Sequence, residues 1–174
     1  MKNTKSLSKA SHIGVRQAYG QSGAAVTDKL LWIAVVVMAL MVVLMFWSDI
    51  NYQYRKVMTT MHVGKIASAA QSWKKTRANY AGLTLTVLCT DAYLSESICG
   101  TAGNGVAANM FGGNYTVVPN TNPGLINIAV TMPNDADRVN DMADTLASGT
   151  RGECTSRTGC ATLTLAATTI TGTY

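Results

Sequence analysis

Gly23-Ala24-Ala25-Val26-Thr27-Asp28-Lys29 runs directly into Leu30-Leu31-Trp32-Ile33-Ala34-Val35-Val36-Val37-Met38-Ala39-Leu40-Met41-Val42-Val43-Leu44-Met45-Phe46-Trp47. The second stretch has about 18 residues and no charge. As a helix it measures roughly 27 Å, just enough to cross a bilayer core. A small residue, Gly23, closes a basic leader, and one carboxylate, Asp28, stands five residues further on, against the apolar helix. A charged group so close to hydrocarbon is costly unless something uses it, so Asp28 is the first candidate functional residue.

The leader, Met1 to Gly23, contains Lys2, Lys5, Lys9 and Arg16 and no acid. Removing those four from the formal charge of +5 leaves +1. The basic balance therefore belongs to a segment that reads as processed, and no nucleic-acid surface is expected. The leader's charge reads as positive-inside, holding the N-terminus in the cytoplasm during insertion. A secretory signal peptide has an apolar stretch of about 7–15 residues and is cut after it. Here the small residue precedes the apolar run, so cleavage at Gly23 keeps the helix in the product.

All four cysteines, Cys89, Cys99, Cys154 and Cys160, lie beyond the apolar run. An even number on the translocated side points to disulfides in an oxidising compartment. Zinc is the rival, but no CxxC pair exists, and His12 and His62 lie far off in sequence. Three connectivities are open. The local pairs Cys89–Cys99 and Cys154–Cys160 lead, because short loops close most readily.

From Leu30 to about Asn79 there is no proline, and Gly64 is the only glycine, so one long helix is expected. Ile50, Tyr54, Val57 and Met61 fall on one face. Val63, Ile66, Ala70 and Trp73 fall on nearly the opposite one. Two faces suit a helix that packs first on other helices and then on its own domain. Interfacial anchoring by Tyr and Met near a membrane explains the first face equally well. Beyond Asn79, Leu83 to Leu94 reads as a short helix or irregular segment. Asn114–Val118 and Leu125–Met132 read as an antiparallel hairpin around Pro119-Asn120-Thr121-Asn122-Pro123-Gly124. Pro133-Asn134 opens a helix with Val139, Met142, Ala143 and Leu146 on one side and Gly149 as its stop. Ala161 to Ile170, with Leu163 and Leu165 alternating, reads as a third strand. The fold class is α+β, a long N-terminal helix packed on a small antiparallel sheet.

These residues resemble a class B type IV prepilin. That family has a basic leader, a glycine before the cut and a glutamate at the fifth mature position, then a hydrophobic assembly helix and a disulfide-bonded α-β roll. Gly23 matches the residue before the cut, Ala24 the mature N-terminus and Asp28 the fifth-position acid; a leader of about 23 residues is long, as in class B. Tyr80-Ala81-Gly82-Leu83-Thr84 is similar to the start of the loop after the long helix. Phe111-Gly112-Gly113-Asn114-Tyr115-Thr116-Val117 resembles the segment entering the sheet of bundle-forming and thin conjugative pilins. Three departures stand out: Asp28 for glutamate, Lys29 where an apolar residue is usual, and no cysteine in the helix after Pro133.

The resemblance implies a leader at 1–23, a membrane and assembly helix at 24–50, its amphipathic continuation at 51–79 and a head domain at 80–174. It implies cleavage by a prepilin peptidase, methylation of Ala24, and polymerisation with other pilin subunits by inner-membrane machinery into a filament on the bacterial surface. In the family the new α-amine, here that of Ala24, faces the acid of a neighbouring subunit. Asp28 would take that part, setting register more than adding energy, since desolvation offsets much of a buried pair's attraction. Pairing with Lys29 at the membrane surface is the plainer alternative. A minor pilin or secretion pseudopilin, and a signal-anchored periplasmic binding protein, are the competing readings. No enzyme, cofactor or metal site is expected: His12 and His62 have no nucleophile context, and Gly103-Asn104-Gly105 lacks the ending of a phosphate loop. The sequon Asn114-Tyr115-Thr116 lies in a strand and reads as chance.

Overall fold

The computed structural model describes residues 22–75 and 77–174, the side chains of residues 22–25 excepted. The chain divides into two units, Met1–Trp47 and Ser48–Tyr174. Helix α1, Ser22–Lys74, contributes to both.

In the first unit the described side chains, from Val26 to Trp47, are all exposed. Among the described residues this is the one helix long and apolar enough to cross a membrane, with a mean hydropathy of 2.8 over its best window.

In the second unit α1 becomes two-faced. Tyr52, Val63, Ile66, Ala70 and Trp73 are buried, while Tyr54, Val57 and Met61 stay exposed. The helix stops at Lys74, five residues short of the expected Asn79. Its last turn tightens through Arg77 N–H donating to the Lys74 carbonyl, and Tyr80 N–H is claimed by the Pro123 carbonyl of the hairpin loop. The chain at Tyr80 is thus bonded to the hairpin loop and no longer to the helix.

Two short helices follow, α2 (Leu85–Thr90) and α3 (Glu96–Cys99). The Thr84 hydroxyl caps α2 by accepting from Val87 N–H. The expected hairpin forms as β1 (Tyr115–Pro119) and β2 (Ile126–Thr131), with alternating burial that sends Tyr115, Val117, Ile126, Ile128 and Val130 into the core. The helix after Pro133 begins as a 3-10 segment, Pro133–Arg138, and continues as α4, Val139–Ala147. Val139, Met142, Ala143 and Leu146 form its buried side.

The third strand is two strands. β3 (Leu163–Ala166) and β4 (Thr169–Thr173) pair through a turn at Ala167-Thr168, giving a four-stranded antiparallel sheet of order β1-β2-β4-β3. Two-residue hairpin turns need positive φ, normally supplied by Asn or Gly. Here Ala167 supplies it, at φ 51°, so the usual turn signal is missing from the sequence. One glycine is fixed by space: a Cβ on Gly113 would collide with the Thr131 carbonyl oxygen across the β1–β2 pairing.

Candidate functional site

Gly23 and Ala24 lie in the first turn of α1. Asp28 follows one turn later, exposed, in a shallow hollow of about 140 Å³ with Leu31, Trp32 and Val35. Among the described residues no ion pair engages Asp28, so pairing with Lys29 is not seen. On the side of the hollow the carboxylate's neighbours are apolar.

Further along α1 the exposed stripe expected from periodicity is present. Ile50, Tyr54, Val57 and Met61 are 58, 60, 57 and 49 % exposed. At Met61 the stripe enters an open groove of about 630 Å³ between α1 and the α2–α3 connection. Gly64, Lys65 and Ser68 form one wall, Tyr93 and Leu94 the other. Spacings of three and four along 50, 54, 57, 61, 64 and 68 make this a seam of the kind that packs on another helix. Its residues shrink from Ile, Tyr, Val and Met to Gly and Ser, which lets a second backbone approach closely.

The opposite side of α1 is clamped to the rest of its unit by charge. Arg55 pairs with Asp135 at 3.2 Å, Lys56 with Asp141 at 2.8 Å, and Arg138 with Asp49 at 2.9 Å. Tyr52 donates to Asp141 at 2.7 Å, and the Arg138 guanidinium lies 4.6 Å from its ring centre. The hydrogen bonds from Lys56 and Tyr52 hold the Asp141 carboxyl below the usual carboxylate range. Burial, helped by Asp141, pushes the Tyr52 phenol well above its ordinary value. Nothing local announces this clamp, since its partners lie 80 to 89 residues apart in sequence.

Cys89 is bonded to Cys99 and Cys154 to Cys160. The first bond ties α2 to α3; the second closes an exposed loop between α4 and β3. Asn109 is a further structural residue that the sequence does not flag. Its side chain accepts from Phe111 and Gly113 N–H and donates to the Thr131 and Asn114 carbonyls, fixing the entry to β1. Among the described residues no group of three or more His, Cys, Asp or Glu side chains could hold a metal.

A long N-terminal helix packed on a small four-stranded antiparallel sheet is the α+β fold of a pilin. The family model described as PilS N terminal matches residues 53–140, just over half of the chain, and the chain belongs to that family. The match takes in α1 from residue 53 onward, both short helices, the β1–β2 hairpin and the 3-10 segment. No curated protein and no solved structure gives a match. This is a pilus-related protein of a structural family, one whose members work with other pilin subunits.

Proposed function

We propose that this chain is a structural subunit of a class B type IV pilus. It is made as an inner-membrane prepilin, cleaved after Gly23, methylated at Ala24 and polymerised into a surface filament for adhesion, aggregation or conjugation. Residues 1–23 are the leader, 24–50 the membrane and assembly helix, 51–79 its amphipathic continuation and 80–174 the head. The observation that carries the reading is the exposure of every side chain from Val26 to Trp47, all apolar except Thr27, Asp28 and Lys29. Such a surface needs cover. The membrane supplies it before assembly, and the helices of other subunits supply it afterwards. In the second unit the seam from Ile50 to Ser68 offers a further apolar surface to other subunits, and the α-amine of Ala24 on a neighbour meets the Asp28 carboxylate.

N-terminal sequencing and mass spectrometry of sheared filaments test this. A mature start at Ala24 in filaments built from this chain is the expected result. An intact Met1 and no filaments would leave a signal-anchored periplasmic binding protein. Lys29 beside Asp28 favours a second reading, a minor pilin or type II secretion pseudopilin, which trace amounts in a filament of another subunit would select.

A further inference from the structure

His62 lies on the buried face of α1, and Tyr115 is the first residue of β1. The Tyr115 hydroxyl and His62 Nδ1 are 3.1 Å apart, and the rings meet edge to face at 5.9 Å between centres. Tyr115 is wholly buried and His62 is 2 % exposed. One turn before His62 the Thr59 hydroxyl is also buried and has no hydrogen-bond partner at full geometry. These side chains form a polar island in the contact between α1 and the sheet.

Among the described residues no acid is placed to neutralise a charge there. β1 has no ionisable residue besides Tyr115, and β2, β4 and α2 have none. On α1 Lys65, three residues on, repels a proton on the ring. Lys56, nearly two turns earlier, is taken by Asp141, and Asp49 is held by Arg138. Asp135 is held by Arg55, Asp144 bonds Ser156 and Arg157, and Asp137 and Glu96 are exposed. Burial first, then Lys65, pushes the His62 imidazole below its ordinary value of 6.5, and burial pushes the Tyr115 phenol up to about 12. A protonated ring could still donate Nδ1–H to the Tyr115 oxygen. What it could not match is its charge, left in a dry interface beside a lysine.

We propose that His62, buried against Tyr115, is an acid-sensitive latch: the neutral imidazole keeps α1 docked on β1, and a proton on the ring loosens that docking. The folded state binds this proton less readily than the unfolded chain does. The latch's contribution is therefore complete above the ordinary histidine range and is lost as pH falls below it.

The test uses the full chain in detergent micelles, with thermal unfolding followed at pH 7.5 and pH 5. The wild-type midpoint should be lower at pH 5, while that of His62→Gln should change little over the interval. Tyr115→Phe should lower the midpoint at both pH values and keep the wild-type slope. Equal slopes in wild type and His62→Gln overturn the latch. A second measurement needs no variant: the imidazole titration by NMR, alongside amide-exchange protection of residues 59–70. Titration below 6.5 with protection lost at the acid end supports the latch. Titration at or above 6.5, or protection unchanged across the titration, overturns it.

Discussion

Residues 26–47 and 48–74 share one helix, yet the first segment leaves every side chain exposed while the second buries one face on its own sheet. The first has apolar residues all round and no stripe, which suits hydrocarbon or a bundle of like helices. The second alternates a buried face with an exposed apolar seam, so it has work on both sides. The difference shows that helix formation says little here about what a segment is for. Where its apolar surface goes decides that.

The sharpest way to break this comparison is to truncate one side chain in each segment. Ile66→Ala removes a wholly buried side chain and should cost about 2–5 kcal/mol of stability in the second unit, read by thermal or denaturant unfolding. Ile33→Ala, on the all-exposed segment, should leave that unfolding within about 0.5 kcal/mol of wild type. Equal losses would mean that residues 26–47 support the fold of the head, contrary to the division drawn here.

A smaller change acts within the second unit. Ala167 holds φ 51° in the β3–β4 turn, a conformation that costs an L-residue roughly 1–2 kcal/mol and a glycine little. Ala167→Gly should therefore stabilise the unit by about 0.5–1 kcal/mol, with no effect on assembly. A destabilised variant would show that the turn is not strained.

The smallest effect concerns the clamp. The Asp141 carboxyl is held below the usual range, so the stability it contributes is present above about pH 4, the ordinary carboxylate value. That contribution is lost as pH falls through the lower folded value. Its side chain is 53 % exposed, so solvent screening leaves about 0.5 kcal/mol. Asp141→Asn should flatten the acid side of the stability profile below pH 4 and leave the interval from pH 5 to 7.5 untouched. That separates the clamp from the His62 latch.

How much of this was legible followed the range of each interaction. The apolar run, the two faces of α1, the hairpin at Pro119–Gly124 and the helix at Val139–Leu146 rest on local spacing, and the sequence carries it. The split of Ala161–Ile170 into two strands was not legible, because Ala167-Thr168 turns without Gly, Asn or Pro. α3 was missed because it is a single turn of four residues closed by a disulfide. The clamp from Asp49 to Asp141 and the His62–Tyr115 contact join residues 53 to 89 positions apart, which no period reports. For Asp28 the sequence supplied the reason to look, and the fold adds that no ion pair engages it among the described residues and that it shares a hollow with Leu31, Trp32 and Val35.

The central claim is that the exposed segment serves assembly and the buried face serves folding. Its most direct test is the yield of sheared filaments, relative to membrane-fraction protein, for wild type and Asp28→Ala. The account predicts that the variant inserts, is processed and forms both disulfides, yet gives few filaments, while Asp28→Glu assembles at least as well as wild type. Unchanged filament yield from Asp28→Ala would contradict it, leaving Asp28 an ordinary interfacial charge.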